Sequence, residues 1–250
     1  MRETAPHVER LGRQNHHQDS GEHVTSHHDR RTAAGGDSVN GQTPDPADEL
    51  RLYLDKVAGG LTGELHIAIG ENGHWVDGRY TFDPDDWHPS HHSWPADADQ
   101  VINKILSAAT HSDTYVCVNL MWGDKRHRSS AVRLQSIHSD VDHGHLDLDK
   151  VRAIGGYAVG SGTPGNGQVY VDLADAITVP QHSALCRALG AYLGGADSKI
   201  APNDVLRPPG TYNHKTAPPN PVVWLVQPNG HRADPAALAA QLGLDWDSIG

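Results

Sequence analysis

The chain has 250 residues, of which 37% are hydrophobic, and its 31 acidic residues outnumber its 20 lysines and arginines, for a formal charge of −11. This charge argues against a broadly basic nucleic-acid-binding surface, but it allows a local basic groove or a site where metal ions supply positive charge. The sequence has no apolar run of about 18 residues, as a membrane span needs, and no secretory signal at its N-terminus, so we expect a cytoplasmic protein with no membrane partner.

Residues 1–44 are predicted to be a disordered, polar, histidine-rich tail. Few large apolar side chains occur between residues 1 and 42, so this segment buries too little to offset the entropy of ordering. One domain is predicted over residues 45–250. Its first helix begins after Asp45, a good N-cap residue, with Pro46 in the first turn, and it ends at Gly59-Gly60.

Strands and helices are mixed along the rest of the chain. Alternating or continuous apolar residues predict strands at 65–69, 75–82 with a turn at Asp77-Gly78, 114–121, 131–142, 156–162, 168–173 and 222–227. Helices are predicted at 97–111, at 178–194 and after Asp234-Pro235. Residues 83–95 are predicted to form a proline-rich loop, and residues 196–220 have no periodicity. The order lacks strict βαβ alternation and therefore predicts an α+β fold.

Asp140 and Asp142 end a predicted strand with one residue between them. Residues at this spacing point to the same side of a strand, and two carboxylates held so close repel each other unless a cation lies between them. Oxygen ligands of this kind suit Mg²⁺ or Mn²⁺. The alternative is a pair of exposed acids at a strand end. A second pair, Asp147 and Asp149, is expected to lie at the start of a helix.

Cysteines and histidines give a weaker signal. Cys117 and Cys186 lie in apolar contexts and are predicted to be buried thiols rather than members of a disulfide framework or a CxxC zinc site. His138, His143 and His145 could bind zinc, but they have no partner cluster at a suitable spacing, so we expect surface histidines.

Two glycine- or proline-containing loops carry polar side chains suited to phosphate. Residues 160–168 form a glycine-rich turn between two strands, where backbone N–H groups and the side chains of Ser161 and Gln168 can donate hydrogen bonds. It matches neither a Walker loop nor a Rossmann fingerprint, and its alternative interpretation is a plain hairpin. Residues 206–215 place Arg207 and Lys215 around a Pro-Pro-Gly turn, from which long cationic side chains reach outward to a triphosphate. The alternative is an ordinary surface loop.

The order of these features resembles the primase-polymerase (prim-pol) domains of the archaeo-eukaryotic primase superfamily, especially those of bacterial plasmids, phages and mobile elements. The resemblance spans roughly residues 50–227, and its most specific motifs are HSDVDHG and LRPPGTYNHK. It implies an RRM-like antiparallel or mixed sheet with packed helices, which agrees with the α+β prediction.

The resemblance also implies roles for individual residues. Asp140 and Asp142 match the first two catalytic, metal-binding acids; Asp197 is the best match to the third, with Asp204 second. The set would hold two Mg²⁺ or Mn²⁺ ions. The implied nucleotide-binding residues are Ser161, Asn166, Gln168, Arg207, Asn213 and Lys215. The family's hairpin motif normally ends in serine-any-histidine, whereas this chain has Asn166-Gly167-Gln168. Glutamine donates a hydrogen bond but carries no charge and cannot shuttle a proton.

The implied function is a metal-dependent DNA primase/polymerase that makes or extends primers in the replication of a mobile element. Its partners would be a single-stranded DNA template or primer, nucleoside triphosphates, and a helicase in cis or in trans. The densest basic run offers template contacts, or else forms a solvated charged loop: Lys125, Arg126, Arg128 and Arg133. The main alternative is a non-catalytic replication-initiation or nucleotide-binding module that retains the fold. A DxD glycosyltransferase is disfavoured, because that fold requires a parallel α/β pattern.

Overall fold

The structure is a computed structural model that describes residues 44–142, 145–195 and 199–249. Residues 1–43 of the predicted tail and Asp197 therefore lie outside the described residues. The described part contains five α-helices: α1 (Pro46–Ala58), α2 (Ala98–Ala109), α3 (Leu148–Ala153), α4 (Val179–Leu193) and α5 (Pro235–Gln241).

The helix boundaries follow from local capping. The Asp45 side chain accepts a hydrogen bond from the Ala47 N–H at 2.9 Å, Pro46 occupies the first turn, and Gly59 ends α1 with φ 58°. A residue with positive φ is most easily a glycine, which explains why α1 ends there. Asp147 caps α3 by accepting from the N–H groups of Asp149 and Lys150. These helices were predicted at the right places.

The described strands are β1 (Gly63–Gly70), β2 (His74–Val76), β3 (Arg79–Thr81), β4 (Trp87–Trp94), β5 (Asp113–Cys117), β6 (Leu134–Val141), β7 (Tyr157–Gly160), β8 (Gly167–Ile177), β9 (Val205–Leu206), β10 (Tyr212–Asn213), β11 (Asn220–Pro221) and β12 (Val223–Val226). They form two four-stranded sheets, in the orders β4-β1-β5-β9 and β12-β7-β8-β6, and two small hairpins, β2-β3 and β10-β11. Every named strand pairs antiparallel with its neighbours. The α+β class is confirmed, with most of the antiparallel strands divided between the two four-stranded sheets.

The prediction of a loop over residues 83–95 is wrong. After a short 3₁₀ turn at Pro84–Asp86, strand β4 runs antiparallel to β1 along its full length, with Pro89 opposite Ala68. Strand β4 lies at the edge of its sheet. An edge strand is hydrogen-bonded on one side only, so it tolerates a proline that would be excluded from a central strand.

Two hydrophobic clusters hold the fold together. The first contains Leu50 and Tyr53 of α1, Ile67 of β1, and Tyr170 of β8, so it draws on both four-stranded sheets. Within it, the Tyr53 and Tyr170 hydroxyls are hydrogen-bonded at 2.9 Å. The second cluster packs α4 and α5 against β6 and β8. A buried hydroxyl pair of this kind satisfies two polar groups at once and fixes how α1 lies on β8.

The sequence also led to expectations about the two cysteines and about membrane spans. Cys117 and Cys186 are both buried and free, as predicted. None of the described helices has both the length and the apolar character of a membrane span.

Candidate active site

The strand-terminal acids lie beside the glycine-rich hairpin. Asp140 is the penultimate residue of β6 and pairs in register with Gln168 of β8, while Val141 pairs with Gly167. Asp142 follows directly after β6. Strand β7 and strand β8 are antiparallel neighbours, which confirms that the glycine-rich turn is a hairpin. The register therefore brings the two acids next to the hairpin that the sequence singled out independently.

One cleft collects most of the residues that the sequence singled out. Its walls include Asp140, Asp142, Ser161, Gln168, Arg207, Asn213 and Lys215. They also include four side chains that the sequence analysis missed: Tyr80, Tyr115, Thr163 and Lys199. The cleft thus combines two carboxylates with three cationic side chains, a composition that suits a metal-bound polyanion.

Asn166 acts on the second acid. Its Nδ2 atom donates a hydrogen bond to Asp142 Oδ1 at 2.8 Å. This contact fixes the orientation of a carboxylate that lies just beyond the end of its strand. A partner that orients a metal-binding carboxylate contributes to affinity without touching the ion.

The surroundings of Asp140 fit a cation. The Nζ atom of Lys199 lies 3.7 Å from Asp140 Oδ2, so a positive charge is already drawn to this carboxylate. Two carboxylate groups from Asp140 and Asp142 provide oxygen ligands of the kind that Mg²⁺ and Mn²⁺ prefer. The residues present therefore fit a hard divalent cation.

Asp204, the second candidate for the third acid, is engaged elsewhere. Its Oδ2 atom accepts from the Ala201 N–H at 2.8 Å and lies 3.5 Å from His138 Nε2. Asp204 is not among the residues that line the cleft in the described part of the chain. Its geometry favours a role beside His138 over a role beside Asp140.

Arg207 does not reach outward as the loop sequence predicts; it is 7% exposed. Its Nε atom donates to Asp113 Oδ1 at 2.9 Å, and Nη2 donates to the Tyr115 hydroxyl at 2.6 Å. Its guanidinium also stacks on the Tyr115 ring, 4.7 Å from the centroid. A buried guanidinium needs a carboxylate partner, and Asp113, 94 residues away in sequence, supplies it.

Asp113 is the centre of a small buried network. Besides Arg207, it accepts from the Tyr80 hydroxyl at 3.0 Å and from the His214 N–H at 3.2 Å. Burial raises the pKa of Tyr80 to about 12, and the neighbouring Asp113 carboxylate adds to the shift, so the hydroxyl remains a donor. Asp113 therefore positions two side chains of the cleft wall, Tyr80 and Arg207, and also holds the backbone at His214.

Gln168 is 2% exposed and is held by the backbone of Arg207. In the amide orientation that satisfies its neighbours, it accepts from the Arg207 N–H at 3.2 Å and donates to the Arg207 carbonyl at 2.9 Å and the Tyr170 hydroxyl at 3.3 Å. This two-point contact links strand β8 to the 206–215 loop. Glutamine therefore has a structural role at the position where the resembling family has histidine.

We expect Gln168→His to destabilise the protein by about 1–2 kcal/mol, because an imidazole cannot present a donor and an acceptor side by side to the N–H and C=O groups of one residue. Chemical denaturation of the wild type and the variant measures this. Gln227→His changes an exposed glutamine and is the matched control. Equal unfolding free energies for Gln168→His and the wild type would contradict the paired contact with Arg207.

Asn213 and Lys215 differ in what they can do for a ligand. The Asn213 amide is 3% exposed; it donates to the Ser161 carbonyl at 2.8 Å and accepts from the Lys215 N–H at 3.1 Å. It joins the hairpin to the loop. Lys215 is half-buried, with Nζ 5.7 Å from the Tyr80 ring centroid. Burial, and after it the charge of Arg207, lower the pKa of Lys215, because both disfavour the charged ammonium group. A bound anion would stabilise that charged form.

The prediction that His138 lies on the surface is wrong: it is 2% exposed. It lies on β6 inside the apolar part of that strand, and the helix α4 packs against it there. His145 is exposed as predicted, and His143 lies outside the described residues.

The predicted basic run is exposed. Lys125, Arg126, Arg128 and Arg133 all lie at the surface, and Arg126 donates to the backbone carbonyl of Asn203. The same loop carries Trp122, whose surface is 62% exposed, and the sequence analysis did not single it out. A tryptophan close in sequence to several basic residues is the signal that could have identified it.

Comparison with known proteins identifies the fold. No protein-family model matches the sequence, and no curated protein matches it significantly. Among solved structures, the catalytic domain of primase RepB' in complex with initiator DNA superposes with a TM-score of 0.55 at 19% identity, covering 80% of this chain and 94% of that one. The AEP domain of the cyanophage S-2L primase-polymerase gives 0.53 at 16% identity, covering 79% and 96%.

The chain has the fold of a prim-pol catalytic domain. A further RepB' primase structure gives a TM-score of 0.54 at 18% identity and covers 79% of this chain, which spans 62% of the length of that one. The resemblance seen in the motifs HSDVDHG and LRPPGTYNHK is thus confirmed at the level of the fold.

Proposed function

We propose that this chain is a metal-dependent nucleotidyltransferase that makes or extends primers on a single-stranded DNA template. The cleft carries the proposal: within a prim-pol fold, its walls combine the carboxylates of Asp140 and Asp142 with the cationic side chains of Arg207 and Lys215. One protein with this fold is in complex with initiator DNA, which supports DNA as the partner here.

Asp140, Asp142 and Asp197 would hold two Mg²⁺ or Mn²⁺ ions. When bound, such a pair of ions activates an attacking hydroxyl and stabilises the leaving pyrophosphate. The protein's own part is to place the acids and the substrate. Asn166 fixes the Asp142 carboxylate, and Asp113 holds Arg207 in the wall of the cleft.

Lys215 is the best-placed side chain for a nucleotide triphosphate. The residue is only half-buried, and within the described ranges its Nζ has no carboxylate oxygen at ion-pairing distance, whereas Arg207 is paired with Asp113. Its charge still lies close enough to Asp140 and Asp142 to interact with both. It can therefore bridge from the metal-binding acids to phosphate oxygens.

We expect Lys215→Ala to raise the KM for every nucleotide by ten- to a hundredfold, since losing one charge-assisted contact costs about 1.5–3 kcal/mol. The effect should be similar for all four bases, because phosphates carry no base identity. Steady-state kinetics with each nucleotide measures it.

The control for Lys215→Ala is the salt dependence of DNA binding. A nucleotide contact leaves the slope of log affinity against log salt unchanged, whereas a lost DNA phosphate contact lowers it by about one. Lys125→Ala, in the exposed basic run, is the matched variant expected to lower that slope. A reduced slope with an unchanged nucleotide KM for Lys215→Ala would instead make residues 206–215 a DNA-backbone clamp.

Template binding is proposed for the exposed loop that contains Lys125, Arg126 and Arg128. Trp122, at its start, adds an exposed aromatic face. Basic residues that follow the phosphates and an aromatic ring that stacks on bases are the two components of single-strand binding.

A second candidate function is a nucleotide-binding or replication-initiation module without turnover. It is favoured by one observation: Gln168 stands where the family has histidine, and its amide is occupied by the Arg207 backbone. A primer-synthesis assay with Mn²⁺, labelled nucleotides and single-stranded DNA decides between the two. Labelled product supports the primase/polymerase; saturable nucleotide binding with no product supports the module.

A further inference from the structure

A second group of metal-binding side chains lies outside the cleft. It consists of His138 on β6 and of His182 and Cys186 on α4, which are 2%, 0% and 1% exposed. His182 and Cys186 are four residues apart and so lie on one face of the helix. Each of the three offers a ligand atom, and these atoms all lie within 4.8 Å of one another.

The distances match those around a tetrahedral zinc ion. Zinc–sulfur bonds of about 2.3 Å and zinc–nitrogen bonds of about 2.0–2.1 Å separate a sulfur from a nitrogen by about 3.5 Å. Here Cys186 Sγ lies 3.6 Å from His182 Nδ1 and 3.9 Å from His138 Nδ1. Cys186 Sγ also lies 3.7 Å from His182 Nε2, so either ring nitrogen of His182 is at a suitable distance from the sulfur.

Groups around the cluster resemble the supports of a metal site. The other ring nitrogen of His138, Nε2, has no well-aligned hydrogen bond within the described residues, and Asp204 Oδ2 lies 3.5 Å from it. The His182 ring is hydrogen-bonded with the backbone of Ile200. The His138 backbone N–H donates to Cys186 Sγ at 3.5 Å. Metal-bound histidines typically donate their free N–H to a carboxylate or a backbone carbonyl in this way.

We propose that His138, His182 and Cys186 bind one Zn²⁺ ion at a site separate from the cleft, where a non-protein ligand such as water would complete the tetrahedron. Nitrogen and sulfur donors favour zinc, whereas the oxygen donors of Asp140 and Asp142 favour Mg²⁺ or Mn²⁺, so the two sites select different ions. The Cys186 thiolate and the Asp204 carboxylate together balance the charge of the ion. The site would join α4 to β6 two residues before Asp140, and it does not depend on the function proposed above.

Cobalt substitution of the full chain tests the site. The histidines in residues 1–42 can bind metal too, but the chain has only two cysteines, Cys117 and Cys186. A cobalt–thiolate charge-transfer band therefore reports on those two residues alone. Cys117→Ser, which changes a second buried thiol, is the matched control for Cys186→Ser.

We expect the band in the wild type and in Cys117→Ser but not in Cys186→Ser, and about one more zinc ion per chain in the purified wild type than in Cys186→Ser. Zinc X-ray absorption of the wild type answers the same question without a variant, since it should show one sulfur neighbour at about 2.3 Å. Absence of the band and of the sulfur neighbour in the wild type would overturn the proposal and leave a hydrogen-bonded cluster. None of these measurements requires primer synthesis, so the test of the zinc site is independent of the proposed activity.

Discussion

Asp140→Asn and Asp142→Asn should each lower nucleotide incorporation by more than about a hundredfold. Loss of a group that merely orients a metal ligand typically costs 10–100-fold, so loss of the ligand itself should cost at least that much. Asparagine keeps the shape of aspartate, and neither Asp140 nor Asp142 belongs to the two hydrophobic clusters. The fold should therefore persist.

Primer extension in Mn²⁺, with circular dichroism to verify folding, measures these two variants. Asp149→Asn is the matched control, because the Asp149 side chain is 93% exposed and Asp149 is not among the described residues that line the cleft; it should keep full activity. Wild-type incorporation by both Asp140→Asn and Asp142→Asn would remove the two acids from the proposed metal site.

Arg207→Ala should lower stability by about 3–5 kcal/mol, the usual cost of removing one partner from a buried ion pair. The reason is that Asp113, 1% exposed, would keep a buried charge whose remaining hydrogen-bond donors among the described residues are the Tyr80 hydroxyl and the His214 N–H. In a chain of this size, such a loss lowers the thermal midpoint by roughly 10 °C.

The double variant Arg207→Ala/Asp113→Asn provides the control for this prediction. Removing the unpaired charge should restore part of the lost stability, because the cost arises from Asp113 and not only from the missing contacts of Arg207. Lys215→Ala should change the midpoint little, since no described carboxylate forms an ion pair with Lys215 as Asp113 does with Arg207. A wild-type midpoint for Arg207→Ala together with a raised nucleotide KM would show that Arg207 serves the ligand alone, as the loop sequence predicts.

Elements governed by neighbouring residues could be predicted well. The caps at Asp45 and Asp147 and the hairpin turn at Asp77-Gly78 were placed correctly, since capping and turn formation depend on side chains a few residues away. The pairing of Asp140 with Gln168 of the glycine-rich hairpin, in contrast, was found only in the structure. Strand β4 was missed, because its histidines, serines and proline give no apolar alternation and only an edge position permits them.

The sequence by itself determined the α+β class, the local capping and turns, and the candidate acids, since these follow from periodicity and from motifs within about 15 residues. Only the tertiary structure decided which distant side chains meet. Asp113 neutralises Arg207 across 94 residues, and Cys186 lies beside His138 across 48. Burial and charge pairing depend on the neighbours that folding supplies, and no local pattern in the chain specifies them. The same reason explains why Arg207 looked like an outward-reaching ligand and proved to be a buried part of the cleft wall.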